Sequence, residues 1–212
     1  MKILVIGASG RVGSDLVKQL LADDHQVVGT TRQEKKLFDV DSYTQLNLDI
    51  TASKDAIQSQ IADDIDAAYF VAGSGGTSVL EVDLHGAVKT MQALQDKGIT
   101  RYIMLSTVFS LDTSKWDSAA ITNLKDYYIC KHYADQWLVN DSTLDYTIVQ
   151  AGALKEQAGT GNITVNDTNA GGNTIADVAT TLVAVLNASN TSKQVFSMRN
   201  GDTPIKEAVA SL

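Results

Sequence analysis

Short apolar runs alternate with segments of helical periodicity along the chain. The run "KILVI" at residues 2–6 is followed by the turn "GASGRVG", a helical segment "SDLVKQLLADD" and a second apolar run "HQVVGTT". In the helical segment, apolar residues recur at helical spacing. The unbroken run from Ile3 to Ile6 is typical of a central parallel strand that is covered on both faces. The first thirty residues therefore predict a β-α-β unit.

The same alternation continues to the end of the chain. Further strands are predicted at "YTQLNLDI", "DAAYFVAG", "RYIMLST", "LDYTIVQAG" and "KQVFSMR", and helices at "SKDAIQSQIA", "VLEVDLHGAVKTMQALQDKG", "NLKDYYICKHYADQWLVND" and "IADVATTLVAVLNAS". A last short helix is expected with Thr203 as N-cap and Pro204 at its first position. This order predicts an α/β fold, a doubly wound, mostly parallel Rossmann-type sheet with helices on both faces and a small C-terminal extension.

Composition and charge narrow the class of protein. The chain has 212 residues and a net charge of -8 at pH 7, which opposes binding to nucleic acid or an anionic membrane surface. The N-terminal apolar run is too short for a signal peptide or a membrane span. Cys130 is the lone cysteine, in agreement with a reducing compartment. We therefore expect a cytoplasmic protein of one domain, and we assign no residue to a metal.

The glycine-rich turn is the first candidate site. Gly7, Gly10 and Gly13 follow a predicted strand and open a predicted helix, a context in which backbone N–H groups can approach a pyrophosphate. The spacing is GxxGxxG, whereas the standard dinucleotide fingerprint is GxGxxG. A tight turn with close helix packing is the alternative. The residues of this turn assigned to cofactor binding are Gly7, Ser9, Gly10, Arg11, Val12 and Gly13.

The next strand ends bear on the choice of cofactor. An NAD site usually has an acidic residue at the end of the second strand, but here the sequence is "GTTRQEKK". Arg32 therefore favours NADP (NADPH) over NAD, through contacts with the 2′-phosphate; an exposed Arg in a polar loop is the alternative. Asp49 is a candidate for the adenine amino group or a plain turn residue. The remaining assigned cofactor-binding residues are Ile50, Ala72, Gly73 and Ser74.

Together these segments resemble the short-chain dehydrogenase/reductase superfamily, specifically its atypical branch of small NAD(P)H-binding proteins related to NmrA-like and epimerase/dehydratase proteins. The resemblance covers nearly the whole chain, through "GASGRVG", "FVAGSGG", "RYIMLST", "YYICKHYAD" and "LDYTIVQAGAL". It implies a single NAD(P)-binding Rossmann domain over residues 1–212. One departure concerns the sixth strand, which in the family typically ends in Arg-Pro-Gly and here reads Gln150, Ala151, Gly152.

Tyr127 and Lys131 are the candidate catalytic pair. Their spacing places both on one helical face, one turn apart, where the ammonium should lower the pKa of the phenol. The resemblance implies that Lys131 also bonds the nicotinamide ribose, and that a hydroxyl after the fifth strand orients the substrate. Ser106, Thr107 and Ser110 are candidates for that hydroxyl, and Thr107 is preferred. The alternative is a helix surface with a half-buried Tyr and a solvated Lys; the similarly spaced Tyr128 and His132 are assigned to packing.

Three functions are compatible with these residues. The leading hypothesis is an NADP-dependent oxidoreductase that transfers hydride between nicotinamide and a small carbonyl, quinone or similar acceptor. The first alternative is a noncatalytic NAD(P)-binding redox sensor of NmrA-like type; the second, disfavoured by the short C-terminal part, is a nucleotide-sugar epimerase or dehydratase. We assign the substrate cleft to about 108–122 and 152–172. The helices around 79–97 and Tyr127 are candidate homodimer contacts, although core packing explains their apolar residues equally well.

Overall fold

The computed structural model describes residues 1–119 and 121–212 in full and the backbone alone at residue 120. The strands are β1 Lys2–Ile6, β2 Gln26–Thr30, β3 Tyr43–Leu46, β4 Ala67–Phe70, β5 Arg101–Thr107, β6 Asp145–Ala151, β7 Ala153–Lys155, β8 Asn162–Val165, β9 Gly172–Thr174, β10 Gln194–Asn200 and β11 Thr203–Pro204. The α-helices are α1 Arg11–Ala22, α2 Lys54–Gln60, α3 Ala87–Asp96, α4 Ala119–Thr122, α5 Lys125–Asn140, α6 Ile175–Leu186 and α7 Ile205–Ala210. A π-helical segment spans Val79–Gly86, and single 3-10 turns lie at Thr113–Lys115 and Ser189–Thr191.

The central sheet has nine strands in the order β11-β8-β10-β6-β5-β4-β1-β2-β3. The seven strands from β10 to β3 pair in parallel, and β8 and β11 add an antiparallel edge. The strand order reverses between β1 and β4. Doubly wound sheets bind ligands at the carboxyl ends of the strands beside such a reversal. The predicted α/β, mostly parallel Rossmann-type fold is confirmed.

Two apolar cores cover the two faces of the sheet. Side chains of β1 alternate between them: Ile3 and Val5 pack in the core with α1 and α6, whereas Leu4 and Ile6 pack in the core with α2, α3 and α5. All four side chains are fully buried. The continuous apolar run in the sequence is therefore explained by a strand with no solvent-facing side.

Three local expectations differ from the structure. The predicted helix over residues 79–98 is π-helical in its first half and α-helical only from Ala87. The segment 152–172, to which the sequence analysis assigns part of the substrate cleft and no strand or helix, contains β7, β8 and the start of β9. The expected N-cap is wrong by one residue, because Thr203 pairs with Ile163 in the sheet and Pro204 takes the N-cap position of α7.

Within the described residues, no helix is both long and apolar enough to cross a bilayer. The side chains of Leu80 and Tyr133, on the π-helical segment and α5, are largely exposed. These two elements also contact each other. The homodimer contact assigned to them stays a prediction.

Candidate functional site

The glycine-rich turn joins β1 to α1 at the carboxyl edge of the sheet. Gly7 has φ +97°, a conformation that favours glycine, and a Cβ there would lie 2.6 Å from the backbone nitrogen of Ala72. The Gly7 N–H donates to the Thr30 hydroxyl at 3.1 Å. Gly10 is the N-cap of α1 and makes no side-chain capping bond. The first turn of α1 therefore has uncapped N–H groups of the kind that bind anions.

The loops after β2 and β3 carry the residues assigned to the adenosine half of a dinucleotide. Arg32 is exposed, directly after the buried Thr31. The Asp49 carboxylate accepts bonds from the hydroxyl and the backbone N–H of Thr51 at 2.7 and 2.8 Å, and these bonds lower its pKa. Asp49 thus closes its own turn, while Ile50 is buried in the core. Contact of Arg32 and Asp49 with a cofactor stays a prediction.

The loop after β4 is held by an acidic residue that the sequence reasoning missed. Ser74 donates its hydroxyl and its backbone N–H to Asp83 Oδ2 at 2.6 and 3.1 Å. Asp83 lies in the π-helical segment and is 2% exposed. A Cβ at Gly73 would lie 3.3 Å from Asp83 Oδ1. An acid inside the apolar helical pattern "VLEVDLHG" was the available signal, and π-helical turns are frequent at functional sites.

Lys131 lies in the interior at the ends of β4 and β5. It is 2% exposed, its ammonium donates to the Leu105 carbonyl at 3.1 Å, and Nζ lies 5.9 Å from the centre of the Phe70 ring. Desolvation lowers the pKa of Lys131, and the carboxylates of Asp135 and Asp83 act in the opposite direction. The alternative of a solvated surface lysine is therefore excluded by burial.

Tyr127 is half-buried, one turn before Lys131 on α5. Burial raises its pKa well above the ordinary value, and the charges of Asp83 and Asp135 raise it further, while the nearby Thr107 hydroxyl acts in the opposite direction. The expected lowering of the pKa by Lys131 is wrong, because desolvation and two acidic neighbours raise the pKa and Lys131 is not among the groups that shift it. At neutral pH the phenol keeps its proton.

The three candidate hydroxyls have different partners. The Thr107 hydroxyl donates to the Tyr128 hydroxyl oxygen at 3.3 Å. Ser106 and Ser110 both donate to Asp135 Oδ2 at 2.5 Å. Because the protons of the two serines are directed to a buried carboxylate, Thr107 is the candidate placed among the tyrosines.

Gln150, at which the sequence departs from the expected Arg-Pro-Gly, is hydrogen-bonded in the interior. The registry of β5 and β6 sets Ser106 beside Gln150, and the Gln150 amide donates to the Ser110 hydroxyl oxygen at 2.7 Å. Gln150 and Ser110 are both buried. Asp135 Oδ1 is buried without a hydrogen-bond partner among the described residues.

The two segments assigned to the substrate cleft, 108–122 and 152–172, make separate sets of contacts. Phe109 has φ +63°, and its carbonyl accepts a bond from the Trp116 indole at 2.9 Å. The Trp116 ring packs edge-on against the Tyr128 ring, with 6.0 Å between the ring centres. On the other side, Arg11 pairs with Glu156 at 3.3 Å. An open cavity of about 430 Å³ lies there, lined by Arg11, Ser14, Asp15, Glu156, Gln157, Ala158, Ile175 and Ala176.

Comparison with known proteins identifies the family. Residues 7–189 match the NAD(P)H-binding family. A Bacillus subtilis (strain 168) protein called "Uncharacterized sugar epimerase YhfK" is 36% identical, with 100% of both chains covered. The crystal structure of the oxidoreductase ylbE from Lactococcus lactis is 43% identical with TM-score 0.96, and the match covers 100% of this chain and 96% of that one.

A more distant structure shares the fold alone. It is a short-chain dehydrogenase/reductase from Veillonella parvula in complex with NADP, 17% identical with TM-score 0.74, and 96% of each chain is covered. The family match and the two closer relatives agree with the resemblance drawn from the sequence motifs. The chain belongs to the NAD(P)H-binding family.

Proposed function

We propose that the protein is an NADPH-dependent oxidoreductase that reduces a small carbonyl, quinone or similar acceptor. Tyr127 is the proton donor, Lys131 supports it, and Thr107 orients the acceptor oxygen. The observation that carries this proposal is the burial of Lys131 at the ends of β4 and β5, between Phe70 and Leu105. Phe70 pairs with Ile6, directly before the glycine-rich turn. The candidate pair and the candidate cofactor turn thus share one edge of the sheet.

The residues at this edge fit a dinucleotide. The uncapped start of α1 suits a pyrophosphate, and Gly75 and Gly76, whose added Cβ atoms would meet nothing within 4 Å, leave open space beside the loop after β4. Gly7, Ser9, Gly10, Arg11, Val12 and Gly13 would hold the phosphates, with Ala72, Gly73 and Ser74 next to them. Asp49 and Ile50 would border the adenine. When bound, the reduced nicotinamide supplies the hydride.

The chain's own residues would handle the proton. The Tyr127 phenol is protonated at neutral pH because its pKa is raised, so it can donate a proton to the acceptor oxygen as that oxygen gains negative charge. The buried ammonium of Lys131 would stabilise the phenolate left behind and contact the nicotinamide ribose. Segments 108–122 and 152–172 would form the substrate cleft within a single domain of residues 1–212.

Preference for NADP over NAD rests on the loop after β2. Arg32 is exposed and lies two residues after the end of β2. No acidic residue lies between the strand end and Glu34, and Lys35 and Lys36 follow. A guanidinium can bind a 2′-phosphate through charge-assisted hydrogen bonds. The cofactor proposed for this protein is therefore NADPH.

Two other functions have specific support. A noncatalytic NAD(P) sensor would tolerate two features of this site. Asp83 and Asp135 raise the pKa of Tyr127, and the Ser106 hydroxyl is bonded to Asp135. The name of the Bacillus subtilis relative favours an epimerase acting on sugars. Against the latter, the described residues after Gly152 are largely taken up by β7 to β11, α6 and α7, which belong to the two sheets and their covering helices.

The test combines binding and turnover on the same samples. NADPH and NADH are titrated against wild type and Arg32→Ala, with Lys18→Ala as an exposed cation control on α1. NADPH oxidation is then followed with quinones, flavins, aldehydes and ketones, comparing Tyr127→Phe with Tyr133→Phe, an exposed tyrosine of the same helix. Loss of turnover in Tyr127→Phe alone supports the reductase. NADPH binding without turnover favours the sensor, conversion of a nucleotide sugar favours the epimerase, and no dinucleotide binding refutes all three.

A further inference from the structure

A buried hydrogen-bonded network of four side chains lies beside Lys131. Asp135 Oδ2 accepts bonds from the hydroxyls of Ser106 and Ser110, both at 2.5 Å, and the Gln150 amide donates to the Ser110 oxygen at 2.7 Å. Asp135 and Ser110 are 0% exposed. Buried polar groups reduce the stability of the fold unless they are paired. We therefore expect this network to have a role other than packing.

The bonding pattern indicates the charge on Asp135. The Gln150 amide nitrogen can only donate, so the Ser110 oxygen accepts this bond and the Ser110 proton is left for the carboxylate. Ser106 donates to the same carboxylate oxygen. Two hydroxyl donors on one oxygen and the Lys131 charge favour the ionised form, although desolvation outweighs them and raises the pKa of Asp135 from its usual value.

The helix brings this charge to Lys131. Asp135 lies one turn after Lys131 and two turns after Tyr127, so the three share one face of α5. The groups that face the Lys131 ammonium from neighbouring elements are the Leu105 carbonyl on β5, the Phe70 ring on β4 and Asp83 on the π-helical segment. A fully buried ammonium needs a nearby negative charge to remain protonated.

We propose that Asp135 is a positioning residue for Lys131, keeping its ammonium charged at the carboxyl end of β5. Ser106, Ser110 and Gln150 hold the carboxylate in its ionised form, which gives Gln150 a role in this network. This role has catalytic meaning only if Lys131 serves the proposed reaction. The coupling between the two charges, however, is measurable without any turnover.

The experiment is an NMR titration of the full chain labelled with 13C-lysine. The Lys131 Cε signal is assigned by its loss in Lys131→Arg, and its chemical shift is followed with pH in wild type, Asp135→Asn and Asp141→Asn. Asp141 is an exposed acid at the end of the same helix and serves as the matched control. We expect the Lys131 midpoint to move to lower pH by about one pH unit or more in Asp135→Asn alone. An unchanged midpoint in folded Asp135→Asn overturns the proposal.

If Asp135→Asn does not fold, a second variant, Ser110→Ala, tests the proposal. Ser110→Ala keeps the buried carboxyl but removes one of its donors, so the Lys131 midpoint should move in the same direction by a smaller amount. No movement in Ser110→Ala would then overturn the proposal. NADPH binding is measured in parallel: a wild type that binds no NADPH refutes the proposed function, while the lysine titration still reports on the coupling.

Discussion

Substitution of Gly7 by alanine tests the close contact between the glycine-rich turn and the loop after β4. The added Cβ would lie 2.6 Å from the nitrogen and 2.7 Å from the Cα of Ala72. Backbone atoms cannot be displaced as easily as the end of a side chain, so the two loops must separate. The positive φ of +97° adds about 1–2 kcal/mol, and overpacking adds about 1–3 kcal/mol. Gly7→Ala should therefore cost about 2–5 kcal/mol of unfolding free energy.

Gly98→Ala is the matched control. Gly98 also has a positive φ, +74°, but an added Cβ there would meet nothing within 4 Å, so only the backbone cost of about 1–2 kcal/mol applies. Urea denaturation followed by circular dichroism measures both variants, and an NADPH titration measures binding. Gly7→Ala should also weaken NADPH binding by at least about tenfold, since it moves the start of α1, whereas Gly98→Ala should leave binding unchanged. Equal destabilisation by the two substitutions, with NADPH binding intact in both, would refute the reasoning.

Three further outcomes follow from the same structure. Because burial keeps Tyr127 protonated, kcat/KM for reduction should stay flat between about pH 6 and 9, and a decline centred near neutral pH would contradict this. Desolvation raises the pKa of Asp177, but bonds from the N–H groups of Thr160 and Gly161 outweigh desolvation, so the pKa is lowered overall. The contribution of Asp177 to the unfolding free energy is therefore present above about pH 4 and is lost as the pH falls further. Urea denaturation at several pH values should show that Asp177→Asn costs about 1–3 kcal/mol at pH 7 and makes the loss of stability at acid pH less steep; an unchanged acid profile would argue against it. Ser74→Ala removes the hydroxyl donor to Asp83 and should weaken NADPH binding up to about tenfold, and unaltered affinity would show that this bond does not position the loop.

The predictions from the sequence agree best with the structure where a feature depends only on neighbouring residues. The strand "RYIMLST" begins at Arg101 and ends at Thr107 as the sequence pattern predicts, because its central apolar run from Tyr102 to Leu105 is typical of a strand covered on both faces. The end of α3 near Gly98 is also predicted from the sequence, because glycine readily takes the positive φ that ends a helix, and Gly98 has that conformation. Thr203 was misjudged because its pairing with Ile163 is a long-range contact that competes with capping and leaves no local signal.

In the candidate site, too, some features could be predicted from the sequence and others depend on the tertiary structure. The glycine spacing and the Tyr127–Lys131 spacing were visible in the sequence, since the first depends on a turn and the second on one helical period. The pKa of Tyr127 was expected to fall and instead rises, because its value depends on desolvation and on the charge of Asp83, which act only when the elements pack together, as well as on Asp135 of the same helix. Electrostatic effects of this kind have no sequence period.

By itself, the sequence determined the alternation of strands and helices, the parallel sheet and the glycine-rich turn, because each is imposed by the hydrophobic pattern or by backbone geometry over a few residues. Only the tertiary structure decided which hydroxyl lies among the tyrosines. It also decided that Asp83 holds the loop after β4 and that Gln150 supports Asp135 through Ser110. The bonds of Ser110 to Asp135 and Gln150 join residues 25 and 40 positions apart in the chain, and the packing of α5 on the parallel strands β5 and β6 brings them together.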